Sequence, residues 1–309
     1  MTTSSLAPTP VTADFDSAPA PSGVRSPQQG GRRPQRTRLW WLLTIGKALV
    51  GTLAIVLALF PLAWMVIAGF KSRTEVIATP FQFFPEVWRW QNYVQIASDP
   101  TFLRTMGWTF GGALLFTLLH LTVNSLAAYA FARLDFRFKR TLWVAIITTM
   151  FIPGMTILLT SFIVVTKLFM LDTLAVLVVP GAASAASVFF IRQFYLNIPS
   201  SLEEAAMLDG CGRFRIFTHL FLPLSKPPFV VMGITAFLAY WNSYVWPIMT
   251  ITSPERYVLQ QYLTTFRSER TSELGLLMAG SALAAAPVVI LFLVFQRQII
   301  GNIKMAGLK

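Results

Sequence analysis

The chain has 309 residues, of which 55% are hydrophobic and only 12% charged, and its mean hydropathy is +0.60. Soluble domains carry about 25% charged residues, so an ordinary soluble globular protein is excluded. One cysteine and two histidines exclude a disulfide scaffold and leave little for metal binding. In so apolar a chain, the net charge of +12 indicates basic flanks of membrane spans rather than a nucleic-acid surface.

The N-terminal region, residues 1–38, is rich in Pro, Ser, Thr, Gly and Gln and ends in a basic run. A segment with few large apolar residues cannot bury enough surface to fold, so we predict a disordered cytoplasmic tail. Its arginines are expected to be a positive-inside flank, with contact to anionic lipid as the alternative. Residues 39–309 form the predicted membrane domain.

Six long stretches without Asp, Glu, Lys or Arg follow residue 40. About 20 apolar residues cross a bilayer, and spans must be helical because lipid offers no hydrogen-bond partner to an open backbone. The sequence therefore predicts an all-α polytopic membrane protein with six transmembrane helices. The predicted spans are Ala48–Phe70, Thr105–Ala132, Thr141–Thr166, Thr173–Ile191, Pro227–Pro254 and Leu274–Gln296.

The Lys and Arg residues between the spans predict the orientation. With both termini in the cytoplasm, 16 of the 25 basic residues lie on the cytoplasmic side, 8 lie outside, and Lys47 lies at the inner edge of the first span. Because Lys and Arg are retained inside, this bias favours cytoplasmic termini. The outer 71–104 segment then carries many aromatic residues, which favour a membrane interface, with a docking surface for an outer partner as the alternative.

The cytoplasmic loop 192–226 between the fourth and fifth spans is unusually patterned. Ser200 or Ser201 as N-cap, with Glu203 or Glu204 three residues on, has the capping-box spacing. Gly210 can supply the positive φ that ends a helix, and a short basic helix is expected after it. Two short helices joined by a turn would form a knob for a soluble partner.

A family resemblance rests on this loop. Glu204-Ala-Ala, a three-residue gap, Gly210, a nine-residue gap and Leu220-Phe-Leu-Pro resemble the EAA loop of ABC importer permeases, with Leu220 where the pattern usually has Ile. Further stretches are similar to the permeases of maltose-type carbohydrate importers. These are Asn92-Tyr93, Asn124–Arg133, Tyr240–Pro247 and the end of the chain from Gln296.

The resemblance covers residues 48–309 and implies a type I ABC importer permease in the inner membrane. It implies a second permease subunit, as a heterodimer, two ATPase subunits and an extracytoplasmic solute-binding protein. ATP and magnesium would be bound by the ATPase, and this chain would bind no cofactor. The segment Glu204–Gly210 would enter a groove of one ATPase subunit. The residues assigned to coupling are Glu203, Glu204, Ala205, Ala206, Asp209, Gly210, Leu222 and Pro223.

Uncharged polar groups within the spans are candidates for a sugar path, because sugars are bound by hydrogen-bonding side chains and stacked aromatic rings. For each of them, a hydrogen bond between helices is the alternative. The candidates are Asn124, Thr148, Thr149, Tyr240, Asn242, Ser243 and Trp246. Another small-residue feature, Gly107-Trp-Thr-Phe-Gly111, matches the helix-packing pattern G-x-x-x-G, which is frequent in spans.

Other classes of protein fit less well. The spans contain no acidic residue, which argues against a secondary transporter driven by ion gradients. There is no nucleophile–base or metal constellation for a membrane enzyme, and no G-x-x-x-x-G-K-[ST] loop, so an ATPase must be a separate chain. An importer permease for amino acids, glycerol phosphate or a metal stays open as the alternative.

Overall fold

A computed structural model describes residues 38–268 and 273–306, with side chains described over 43–266 and 273–297. The regular secondary structure in these ranges is helical, with no strand, which confirms the all-α prediction. The predicted tail, except Arg38, lies outside the described residues.

Fifteen α-helices, α1 to α15, are described, together with a π-helix, Phe217–Phe221, and a 3₁₀ turn, Pro254–Arg256. The first eight are Arg38–Ala68, Arg73–Val76, Trp90–Ser98, Pro100–Arg133, Lys139–Thr149, Gly154–Lys167, Leu174–Val178 and Ala185–Leu196. The other seven are Ser200–Leu208, Arg213–Ile216, Leu222–Leu224, Lys226–Trp241, Val245–Thr250, Leu259–Ser268 and Leu274–Ala306.

Two compact units divide the chain inside α1, between Ile55 and Val56. The described part of the first unit is the helical stretch 38–55, whose side chains are exposed from residue 43 on. The second unit contains all the other helices. The large apolar side chains exposed along both parts of α1 are suited to lipid or to a partner within the membrane.

Three continuous helices are long and apolar enough to cross a membrane: Leu43–Ala68, Pro100–Arg133 and Leu274–Arg297. Two bent pairs raise the number to five if each pair is one span, with bends of 106° between α5 and α6 and 80° before α12. The remaining apolar helix, α8, is shorter. The first, second and sixth predicted spans are therefore continuous helices, whereas the third, fourth and fifth are each broken into two helices.

Proline and glycine explain two of the breaks. Residues 150–153 separate α5 from α6, and Pro153 disfavours helical backbone in the residue before it. Residues 179–184 separate α7 from α8, where Pro180 and Gly181 end the first helix. The third break, 242–244, contains Asn242 and Ser243, side chains that compete with the helix for backbone hydrogen bonds.

The long helix α4 organises the second unit. At about 1.5 Å per residue its 34 residues extend over about 50 Å. One buried apolar cluster includes Phe102 and Phe116 of α4 with residues of α12, α14 and α15. A second includes Tyr129 and Phe131, packed with α8 and the π-helix. The two ends of α4 therefore belong to different cores.

At the Asp99 end of α4, connecting segments are held by polar contacts. The Asp99 carboxylate accepts from Thr101 N (2.8 Å) and from the Tyr262 hydroxyl. Asp172, between α6 and α7, accepts from the hydroxyl and amide of Ser253, and the hydroxyl bond lowers the pKa of this carboxyl. These bonds bring the segments after α6 and α13 to the same end of the unit as α14.

Candidate functional site

Residues 199–224, called the knob below, lie at the Arg133 end of α4. The helix α9 begins at Ser200 and ends at Leu208, and Gly210 follows with φ +78°. Gly210 N donates to Met207 O (3.0 Å) and Cys211 N donates to Ala206 O (2.9 Å). This is a Schellman motif with glycine in the left-handed position. The predicted helix and turn are present.

The predicted capping box is wrong. Pro199 occupies the N-cap of α9, which has no side-chain cap, and Ser200 is already helical. The Glu203 carboxylate is only 5% exposed and is engaged elsewhere: Oε1 lies 2.5 Å from Arg213 Nη1, and Oε2 lies 3.7 Å from Arg133 Nε. The carboxylate therefore faces two guanidinium groups instead of the free amides at the start of α9.

The outer face of the knob is exposed and partly apolar. Leu208 is 91% exposed and Phe214 72% exposed, at the two sides of the Gly210 turn. Glu204, on the helix that carries Leu208, is also exposed. Exposed apolar side chains that lie together and are bordered by charged groups are typical of a protein–protein contact.

The coupling residues assigned from the sequence do not all lie on this face. Exposed members are Glu204, Ala205, Asp209, Gly210 and Pro223. Ala206 and Leu222 are half-buried and pack on the second apolar cluster, while Glu203 is buried. The first five can therefore meet a partner directly, and the other three connect the face to the body of the chain.

The second half of the knob is anchored in the second cluster. Ile216, Phe217 and Phe221 are buried, and the ring of Tyr129 packs edge-on to Phe221 with centroids 4.9 Å apart. Phe217–Phe221 forms a π-helix, a form that is frequent at functional sites. The inner face of the knob is thus continuous with the core around the end of α4.

A cavity of about 290 Å³ lies in the other part of the second unit, where the three helix breaks converge. Each break contributes lining residues: Gly154 begins α6, Gly181 follows α7, and Ser243 follows α12. Non-helical backbone is tolerated at membrane depth where it lines a cavity. The lining is Phe116, Gly154, Ile157, Leu158, Ser161, Leu177, Pro180, Gly181, Ala239, Tyr240, Ser243, Trp246, Pro247 and Val258.

Tyr240 supplies an aromatic wall of this cavity, while its hydroxyl is buried against Gly112 of α4. It is buried, and its ring packs on Phe116 with centroids 5.6 Å apart. Its hydroxyl has no hydrogen-bond partner among the residues that the structure describes. Such a buried group is costly unless water or a ligand satisfies it. Trp246, by contrast, donates its indole N–H to Val176 O (2.8 Å).

Of the seven path candidates, Tyr240, Ser243 and Trp246 line the cavity. Asn124 is fully buried away from the lining, and its amide donates to His120 O (2.6 Å) and Ala182 O (2.8 Å). This geometry matches the alternative, a hydrogen bond between helices. The other three candidates, Thr148, Thr149 and Asn242, are exposed and are not among the lining residues.

Several residues that line the cavity were not among the candidates predicted from the sequence. Phe116 and Ser161 lie within apolar helices, and their position on the cavity side follows only from the packing of α4 and α6. Gly154 and Gly181 follow prolines, a signal that could have marked the helix breaks but was not used.

The predicted aromatic segment forms its own cluster. The Trp64 and Phe81 ring centroids lie 4.6 Å apart, and Phe70 packs on Trp90 at 4.6 Å. Lys71, fully buried, lies with Nζ 4.7 Å from the Trp64 ring centroid. Hydrogen bonding from Ser72 lowers the pKa of Glu75 to about 2. Both alternatives for this segment, membrane interface and docking surface, stay open.

Several known proteins resemble the chain in sequence. The family model described as "binding-protein-dependent transport system inner membrane component" matches residues 123–304. The arabinooligosaccharides transport system permease protein AraQ of Halalkalibacterium halodurans is 30% identical over 278 residues, covering 88% of this chain and 97% of that protein. The sn-glycerol-3-phosphate transport system permease protein UgpE of Escherichia coli is 32% identical, over 82% of this chain and 94% of its own.

A further relative is the diacetylchitobiose uptake system permease protein NgcG of Streptomyces coelicolor, which is 27% identical over 80% of this chain and 83% of its own. The fold is similar to a chain in the crystal structure of a bacterial ABC transporter involved in the import of the acidic polysaccharide alginate. The TM-score is 0.73 at 22% identity, and the match covers 84% of this chain and 98% of that chain.

Proposed function

The chain belongs to the family of binding-protein-dependent transport system inner membrane components, and we propose that it lines half of the path by which an ATP-driven importer carries a neutral carbohydrate. It is a multi-pass membrane permease subunit of a carbohydrate ABC importer. Membership implies a partner ATPase and a solute-binding protein. That the other half is a different permease chain, and that two ATPase subunits hydrolyse ATP with magnesium, are parts of the proposal.

The observation that carries the transport role is the cavity at the three helix breaks. It combines rings of Phe116, Tyr240 and Trp246 with hydroxyl groups of Ser161 and Ser243. Aromatic faces pack on the apolar faces of a sugar ring, and hydroxyl groups exchange hydrogen bonds with those of the sugar. Helix breaks allow this lining to rearrange during alternating access without unfolding a whole span.

The absence of charge in the cavity supports a neutral solute. The described lining residues include no Asp, Glu, Lys or Arg. A phosphate or carboxylate that enters a low-dielectric site without a cation loses much of its hydration energy. Among the relatives, an arabinooligosaccharide or diacetylchitobiose is therefore a better guide to the solute than sn-glycerol 3-phosphate.

We further propose that the outer face of the knob binds the ATPase. Leu208 and Phe214 supply the exposed apolar contact, and Glu204 supplies a negative charge beside them for a basic groove. The charge bias of the sequence supports a cytoplasmic knob and cytoplasmic termini. The Asp99 end of α4, about 50 Å away along the helix, would then face the solute-binding protein.

Replacing Tyr240 with Phe tests the solute site. The change keeps the ring on Phe116 and removes only the hydroxyl, which has no partner among the described residues. In the proposed sugar-bound state this hydroxyl turns from Gly112 to the sugar, so the variant loses one hydrogen bond. We expect the KM of ATP-driven uptake to rise about fivefold, because such a bond contributes on the order of 1 kcal/mol. The measurement is uptake into proteoliposomes that contain the whole importer and its binding protein, with labelled arabinobiose, diacetylchitobiose, lactose and sn-glycerol 3-phosphate as probes.

Tyr195→Phe is the matched control, because Tyr195 is equally buried but belongs to the cluster around the other end of α4. It should leave the KM unchanged. Uptake of sn-glycerol 3-phosphate in preference to every neutral sugar would contradict the proposed solute class. An unchanged KM in Tyr240→Phe for the sugar that is carried would contradict the assignment of the cavity.

A further inference from the structure

Two charged side chains are buried in the part of the chain whose side chains are described, Glu203 and Lys71. Glu203 belongs to α9, the helix that carries the proposed ATPase contact. It points away from that face, into the body of the chain, while its neighbour Glu204 is exposed. Burial of a carboxylate is expensive unless other groups compensate its charge, so its partners indicate what the charge is for.

The partners of Glu203 come from two other elements. Arg213, at the start of α10, contacts one carboxylate oxygen at 2.5 Å. Arg133, the last residue of α4, lies 3.7 Å from the other, close enough for an ion pair although too long for a hydrogen bond. The carboxylate thus joins α9 and α10 of the knob to the end of α4.

Arg133 extends the connection to α8. Its Nη2 donates to Tyr195 O (2.8 Å) and also to Ile198 O, both at the end of α8. Its guanidinium lies over the ring of Phe221 in the π-helix, 5.2 Å from the centroid. One arginine therefore contacts α8, α9 and the π-helix from the end of α4. A planar guanidinium with five donors can hold several partners at once.

We propose that Glu203 is a positioning residue for coupling: its carboxylate joins the knob to α4 and α8 through Arg213 and Arg133, so that movement of the knob by the ATPase moves those helices with it. This inference rests on the proposed function. It assigns to Glu203 a role different from docking, which belongs to Glu204 and the exposed apolar residues. Apolar packing already joins the knob to the end of α4, and the charged contact adds a directional constraint on α9.

Glu203→Gln tests the proposal because it keeps the shape and removes the charge. In the reconstituted importer, we expect the amount of sugar transported per ATP hydrolysed to fall about tenfold, within the usual range of coupling between sites. Association with the ATPase should stay at the wild-type level. A merely structural role would lower uptake and hydrolysis together, in proportion to the assembled complex, and would leave their ratio unchanged.

Two further variants keep the test decisive. Arg213→Gln removes the half-exposed partner of Glu203, so the chain should still assemble. The amount of sugar transported per ATP hydrolysed should fall, but less than in Glu203→Gln. This variant carries the test if Glu203→Gln does not assemble. Glu204→Gln removes the adjacent exposed carboxylate. It should weaken association with the ATPase, but the complexes that still form should transport the wild-type amount of sugar per ATP hydrolysed.

The outcomes separate the two proposals. Wild-type ratios of sugar to ATP in Arg213→Gln and in any assembled Glu203→Gln would overturn the positioning role, even when the ATPase binds normally. No association of the wild-type chain with any ATPase subunit would instead overturn the proposed function. Reduced ATPase association in Glu203→Gln with an unchanged ratio would move Glu203 to the docking surface and also overturn the positioning role.

Discussion

We expect a Gly210→Asp variant to lose uptake completely while it still inserts in the membrane in normal amounts. Gly210 has φ +78°, a backbone conformation that costs residues with a β-carbon on the order of 1 kcal/mol or more. The region around an added Cβ is open within the chain, so the variant can fold. The altered turn and new charge, however, lie between Leu208 and Phe214 on the face proposed for the ATPase. Uptake by membranes with matched amounts of the chain is the measurement.

Gly212→Asp is the control for this prediction. It adds the same charge two residues further on, where φ is −71° and any residue is tolerated. In the part of the chain that the structure describes, the added Cβ has no atom within 4 Å beyond its chain neighbours. We expect this variant to keep much more uptake than Gly210→Asp. Equal loss in both variants would attribute the effect to charge rather than to the turn. Full uptake by Gly210→Asp would contradict the coupling role of the knob.

Gly112→Val is expected to destabilise the membrane domain and to reduce uptake more than tenfold. A Cβ at position 112 would lie 2.7 Å from Cζ of Tyr240 and even closer to its hydroxyl, so α4 and α12 must separate or Tyr240 must leave the cavity. Overpacking of this kind costs about 1–3 kcal/mol or more. The thermal midpoint of the purified chain in detergent should fall by several degrees, and the uptake assay should show the loss of function.

Gly111→Val provides the matched comparison on the same helix. Among the described residues, an ideal Cβ at Gly111 has no atom within 4 Å beyond its chain neighbours and its own helix backbone, and the same is true of Gly107. The thermal midpoint of the isolated chain should therefore be close to that of wild type. An equal fall in both variants would show that the valine disturbs α4 itself rather than its contact with Tyr240.

These glycines also illustrate what the sequence can predict. The G-x-x-x-G pattern marks Gly107 and Gly111, but the close approach to a neighbouring helix uses Gly112. A helix that is apolar on several sides carries no periodic signal for the face that packs. The contact with Tyr240 depends on how α4 and α12 are rotated, which is a property of the tertiary packing.

The knob was largely predictable because its determinants are local. A run of helix formers that ends at Leu208, and a glycine two residues later, specify the helix and its Schellman turn. The role of Glu203 was missed for the opposite reason. Its spacing from Ser200 fits a capping box, but Arg133 and Arg213 compete for the same carboxylate, and Arg133 is brought to it only by the fold.

The cavity was predictable only in part. Tyr240, Ser243 and Trp246 stand out because polar and aromatic residues are clustered in an apolar span, and all three line the cavity. Asn124 stands out equally, but its amide is used between α4 and the break before α8. One polar side chain in a span can satisfy a neighbouring backbone or contact a solute, and the sequence does not distinguish the two.

The central claim, that the knob is the cytoplasmic contact for the ATPase, is tested most directly by thiol labelling at two equally exposed positions. In a Cys211→Ser background, Leu208→Cys lies on the knob, and Phe169→Cys lies near Asp172; the natural side chains are 91% and 92% exposed. An impermeant maleimide added to intact cells should label only Phe169→Cys. In permeabilised membranes both introduced cysteines should react with the maleimide. Assembly with the ATPase should slow the labelling of Leu208→Cys alone. Labelling of Leu208→Cys from outside, or at a rate that the ATPase does not change, would contradict the account.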